Sequence, residues 1–153
     1  MKRYLLIAIV ALATAFGAYA EAGDISLGGQ FAYASKNSMA GLGLQVQFEP
    51  VTNLRFAPEF IYYFENDGMS ALNANLNVHY VIHTSSAFAI YPLAGFTYAH
   101  FKFDHSKDRC GANIGVGAQY RIKEQLYFFT EERFQILKNW NQSVTVLGLK
   151  YTF

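Results

Sequence analysis

From Leu72 to Ile82 the chain alternates in chemistry. Leu72, Ala74, Leu76, Val78, Tyr80 and Ile82 are apolar, while Asn73, Asn75, Asn77 and His79 stand between them, with Val81 closing the second series. A helix would scatter these residues around its circumference. An extended strand sends them to opposite faces, because side chains alternate with period two. The segment is therefore a strand with one face on apolar material and the other on something polar. A soluble antiparallel strand with its asparagines in water satisfies this as well as a membrane strand does. The alternation alone leaves both open.

The same reading along the chain predicts eight strands separated by turn signals. The first is Asp24–Ser35, followed by a polar tip at Lys36, Asn37 and Ser38. Next come Ala40–Glu49, closed by Pro50 to Asn53, and Leu54–Phe64, closed by the strong turn Glu65-Asn66-Asp67-Gly68. Ser70–Ile82 leads into His83-Thr84-Ser85-Ser86, and Ala87–Phe103 into the charged loop Asp104 to Arg109. Gly111–Ile122, Leu126–Leu137 and Ser143–Phe153 complete the set, with a tip at Lys138 to Gln142. Apolar residues on one face include Phe31, Leu44, Phe60, Phe96 and Leu147. Tyr and Phe gather toward strand ends, as the aromatic girdles of membrane barrels require.

The start of the chain reads as a secretory signal peptide, residues 1–20. Lys2 and Arg3 precede an apolar run from Tyr4 to Phe16, too short to cross a bilayer as a helix, and Ala18-Tyr19-Ala20 is a small-x-small cleavage site. Residues 21–153 then form one domain carrying ten basic and eleven acidic side chains. Without a basic excess there is no reason to expect a nucleic-acid partner. Cys110 is the only cysteine, so an internal disulfide is excluded.

The last strand, SVTVLGLKYTF, places Leu147, Leu149, Tyr151 and Phe153 on one face and stops on the phenylalanine. It resembles the C-terminal signature of bacterial outer-membrane β-barrels. With the eight-strand pattern, the chain resembles the small eight-stranded OmpA/OmpX-like, porin-family barrels. That resemblance implies an all-β, transmembrane, antiparallel up-and-down barrel in the outer membrane of a Gram-negative-type bacterium. It also implies contact with outer-membrane lipid and lipopolysaccharide, passage through the barrel-assembly machinery, and a monomeric state. The expected role is structural or surface interaction, adhesion or host-factor binding included. Contacts would run through outer loops at Lys36, Asn37, Asp67, Asp104, Lys107, Arg109, Asn139 and Trp140.

An eight-stranded barrel has an interior just wide enough for its own side chains. Parity makes the inward set polar and charged, with Glu49, Arg55, Glu59, Arg121, Glu131, Arg133 and Lys150 among it. Buried charges must be paired, so these seven predict a salt-bridge network that plugs the lumen, with Lys150 beside Glu131. The alternative is a narrow pore using the same charges, and inward glycines such as Gly117 and Gly148 leave room for water. Glu132 breaks the pattern by falling on the lipid face near mid-span. Either a β-bulge turns it inward or it sits at the outer interface.

Other candidates are weaker. His83 and Ser85 have the spacing of a nucleophile and its base, as in outer-membrane enzymes that modify lipid A, but they fall on a periplasmic turn, away from the outer leaflet. His100, Asp104, His105, Asp108 and Cys110 are metal-capable types without a repeating ligand spacing. No catalytic activity, metal or cofactor is expected. A lipocalin-like barrel would reverse the two faces, and no Gly-x-Trp entry motif is present.

Overall fold

The computed structural model describes residues 25–51, 53–103, 105–138 and 140–153, and of Asn37 and Trp140 only the backbone. The predicted signal peptide, Asp24, Asp104 and Asn139 lie outside the described residues. Eight antiparallel strands close into a barrel. They are β1 (Ile25–Ala34), β2 (Met39–Val51), β3 (Leu54–Asn66), β4 (Met69–Tyr80, resuming at Ile82–His83), β5 (Phe88–Lys102), β6 (Ser106–Arg121), β7 (Leu126–Leu137) and β8 (Trp140–Thr152). Each pairs with its sequence neighbour. β8 returns to β1 in register from Ser26↔Thr152 to Ala34↔Val144. Closure leaves no edge strand exposed.

The hairpins at the end away from the termini are tight. Asp67 (φ 52°) and Gly68 (φ 78°) are both left-handed, the two-residue geometry that matches strand twist. A single 3-10 turn, Lys36–Ser38, joins β1 to β2. Two expected loops are shorter than the alternation suggested. Ser106 to Cys110 belong to β6, paired as far as Lys102↔Ser106. β8 starts at Trp140, opposite Leu137. Backbone pairing needs no apolar side chains, so charge hides a strand from a reading based on alternation. The β5–β6 hairpin therefore stands beyond β7, whose last pair is Gly111↔Leu137.

Outward faces are apolar around the barrel, from Leu42 and Leu44 to Phe96, Ile114 and Leu149. Edge-to-face pairs mark the two ends: Tyr62 with Phe64 at the hairpin end (5.8 Å), Tyr151 with Phe153 at the terminal end (5.1 Å). Strands of 12 or 13 residues, tilted as in such barrels, cover roughly 30 Å along the axis, the thickness of a hydrocarbon core. None of the helices among the described residues is long and apolar enough to cross a membrane.

Glu132 faces outward. Both of its neighbours pair without a register shift, Val116↔Glu132 and Glu132↔Thr145, so there is no bulge to turn it in. Thr145 Oγ1 donates to Glu132 Oε2 at 2.6 Å. The neighbouring strand thus supplies a partner for the carboxylate on the apolar outward face.

Candidate functional site

The lumen is built in layers, and only part of it is polar. At the hairpin end the inward positions carry Met39, Ile61, Tyr63, Phe101, Leu137 and Val144, all buried in one apolar cluster. This corrects the expectation of a polar interior throughout. Small and apolar residues such as Ala99 also occupy inward positions, and parity alone did not weigh them.

Beneath this cap lies the ion-paired centre. Arg133 on β7 reaches across to Glu59 on β3, with Nη1 and Nη2 on the two carboxylate oxygens (Nη2 to Oε2 2.9 Å). Its Nε also donates to Glu131 Oε2 at 2.9 Å, on the same strand face two residues away, and Nη2 donates to that oxygen as well. Glu59 accepts further bonds from Gln30 and Gln45 (2.9 Å each), Asn75 (2.9 Å) and Asn77 (3.5 Å). Asn113 on β6 donates to the side-chain oxygens of Asn75 and Asn77. Tyr91 Oη donates to Glu131 Oε1 at 2.8 Å. Fork-to-carboxylate bonds of this kind are the strong ones. Every group here is at most a few per cent exposed.

Toward the terminal end the chemistry changes. Arg55 Nη1 donates to Gln47 Oε1 and to Gln119 Oε1 (2.9 Å). Lys150 Nζ donates to the same two oxygens, at 2.6 and 2.8 Å. Sharing Gln47 Oε1 keeps the two cations within about 5 Å of each other, a repulsion of about 3 kcal/mol at the effective dielectric of a protein. Neither has a carboxylate within ion-pair distance among the described residues. Aromatic faces take part of the charge: Arg55 lies 5.0 Å from the Tyr91 ring centre and Lys150 5.4 Å from that of Tyr127.

Two amides on β2 join the layers. Gln45 donates to Glu59, Gln47 donates to the Gln45 oxygen, and the Gln47 oxygen faces Arg55 and Lys150. Each amide turns its N–H toward the anion and its C=O toward the cations, so their dipoles run head to tail between the charges.

Three of the seven predicted lumen residues sit elsewhere than expected. Lys150 is not beside Glu131. The β7–β8 hairpin closes between Leu137 and Trp140, tighter than a tip through Gln142, and this register puts Val146 opposite Glu131 and Tyr127 opposite Lys150. Arg121 is exposed at the terminal mouth, where the inward face meets solvent. Glu49 is half-buried and accepts the Asn53 N–H at 3.1 Å, held by the turn. The room left by inward glycines is occupied by rings. A Cβ on Gly117 would meet the Tyr91 ring at 2.3 Å, and one on Gly148 the Phe129 ring at 2.4 Å. Tyr91 itself was missed, although the outward parity of Phe88 and Ile90 points it inward. His79 stacks on Tyr91 (ring centres 4.5 Å apart) with its Nε2 3.9 Å from Glu131.

The remaining candidates are placed as follows. Leu147, Leu149, Tyr151 and Phe153 all face outward. Thr84 Oγ1 donates to the Phe88 carbonyl, and Ser85 Oγ accepts the Phe88 N–H at 3.0 Å, so both hydroxyls serve the turn. His100 and Asp108 oppose each other across β5–β6 and bond through His100 Nδ1. That bond, with a second from Tyr98, holds the Asp108 carboxyl below the usual carboxylate range. Among the proposed loop contacts, Lys36, Asp67 and Lys107 are exposed. Arg109 is half-buried, donates to the Lys138 carbonyl and covers Phe101, while Trp140 falls in β8.

A closed eight-stranded barrel with an apolar exterior and a charged, filled lumen defines the class of small outer-membrane-type barrels, and solved structures agree. The N-terminal β-barrel domain of Pseudomonas aeruginosa OprF aligns at TM-score 0.71 with 16% identity, over 86% of this chain and 99% of that one. Neisserial surface protein A aligns at 0.65 with 17% identity, over 86% and 97%. A transmembrane β-barrel designed de novo aligns at 0.59 with 20% identity, over 86% and 96%. No family model and no curated protein matches the chain. A designed barrel with the same architecture shows how little function the fold carries by itself.

Proposed function

We propose that this chain is an integral outer-membrane protein whose lumen is a plug and whose role is structural, with surface contact confined to the hairpin end. The observation that carries this reading is the Arg133–Glu59–Glu131 centre under its apolar cap. Arg133 spans the lumen from β7 to Glu59 on β3, amides from β1, β2 and β4 surround that carboxylate, and an apolar cluster lies above it, an arrangement that fits a plug. On this reading the terminal end faces the periplasm, and lipid and lipopolysaccharide surround the Leu44, Phe96 and Leu149 band. The barrel-assembly machinery would act on β8, and the working unit is a monomer. No catalytic step is part of the proposal.

Surface contact, where it occurs, falls to short tips rather than long loops. The protruding β5–β6 hairpin, with exposed Lys102, His105 and Lys107, is the best placed. Planar-bilayer recordings test the plug: reconstituted protein is expected to show no current steps above the bare membrane. Steady single-channel steps in the unmodified protein would replace the plug with the narrow-pore reading. Deletion of the β5–β6 tip followed by cell-binding assays tests the surface contact. Unchanged binding would leave the structural role alone.

A further inference from the structure

We propose that Arg55 and Lys150 form a binding site for a small monovalent inorganic anion of chloride size, inside the lumen near the terminal mouth. The two cations share both of their acceptors, the side-chain oxygens of Gln47 and Gln119. Those acceptors are neutral, so the hydrogen bonds hold the cations together without cancelling their charge. A second observation points to a missing acceptor. Arg55 Nε and both ring nitrogens of His79 are buried without a hydrogen-bond partner. Arg55 and His79 are direct cross-strand neighbours on β3 and β4, and both rest on the Tyr91 ring. Most buried donors in native proteins find acceptors, and the Arg55 N–H and the one N–H of a neutral His79 ring are left open to a bound ion or water.

Charge selects the anion over water. Among the described residues, the inward charged side chains buried in the lumen are Arg55, Arg133 and Lys150 against Glu59 and Glu131, and the two carboxylates are already taken up by Arg133. One monovalent anion beside Arg55 and Lys150 brings the lumen to balance. Glu49 is the remaining carboxylate on the inward face of β2, but it is half-buried and held by the Asn53 N–H. Arg121 follows Gln119 at i+2 on β6 and is exposed at the mouth, where it raises the local anion concentration. Arg55 and Lys150 are 3% and 4% exposed, so a lipid headgroup does not reach them.

The test uses the folded protein in nonionic detergent, with sodium chloride exchanged for sodium gluconate at constant ionic strength. Chloride is expected to raise the melting temperature saturably, by roughly 3–6 °C. The rise should vanish in Lys150→Met and in Arg55→Gln and persist in Glu132→Leu. Equal melting in chloride and gluconate, or a rise retained in both lumen variants, overturns the site. Glu49→Gln is expected to enlarge the chloride effect. A loss of stability in that variant that chloride does not restore would identify Glu49 as the counter-ion and end the proposal. If neither lumen variant folds, chloride NMR on the unmodified protein decides. Excess line broadening that disappears on heat unfolding supports the site, and its absence refutes it.

Discussion

Arg133 and Arg55 are guanidinium groups buried in one narrow lumen, yet only Arg133 has carboxylates beside it. Arg133 bonds to Glu59 and Glu131, while Arg55 shares two glutamine oxygens with a second cation. The contrast shows that burial does not impose one solution on a charge. Ion pairing works where carboxylates on β3 and β7 meet across the barrel. Where no carboxylate lies within ion-pair distance, amide dipoles, aromatic faces and, we propose, a bound anion substitute.

The largest expected effect probes the paired side. Arg133→Met strands two buried carboxylates against each other, which should cost about 3–5 kcal/mol, read as a fall in the urea midpoint of the folded, heat-modifiable form. A loss under about 1 kcal/mol would mean that the pair contributes little beyond filling space. Next come the glycines that admit the rings: Gly117→Ala and Gly148→Ala should each cost about 1–3 kcal/mol through overpacking against Tyr91 and Phe129. A neutral result at Gly117 would show that Tyr91 can leave Glu131 freely.

Lys150→Met tests the unpaired side directly. In gluconate it should change stability by less than about 1 kcal/mol, or raise it, because a like-charge contact is relieved as two hydrogen bonds are lost. A penalty equal to that of Arg133→Met would erase the distinction between the two layers. Outside the lumen, Thr145→Val should cost about 1 kcal/mol by leaving Glu132 without its donor on the lipid face, and Glu132→Leu should raise stability instead. The smallest effect belongs to the hairpin tip. Since the Asp108 carboxyl is held low by His100 and Tyr98, its contribution is present above the unfolded value. It disappears as pH falls through the depressed one. Side-chain NMR should follow that loss, with no change in global melting for Asp108→Asn.

Alternation made much of this legible. Asn73 to His79 face the lumen and Leu72 to Tyr80 face out, as period two requires, and the same parity turns Glu59, Glu131, Arg133 and Lys150 inward. It failed where the signal is not alternation. The strand from Ser106 to Cys110 is charged on both faces, and Met39, Tyr63 and Phe101 are inward yet apolar. Arg121 and Glu49 obey parity, but parity says nothing of height along the barrel, and both sit at the mouth.

The local chemistry of the chain determined the strands, their two faces and several of their turns, because side-chain direction and turn geometry are set within a few residues. Only the closed structure decided which charges meet. Glu59 and Arg133 are 74 residues apart in sequence. Lys150 reaches Gln47 and Gln119 rather than Glu131 because the hairpin closing at Leu137↔Trp140 sets the register of β7 against β8. Partner choice across a lumen depends on register and strand tilt summed around the whole barrel, and that sum is a property of closure.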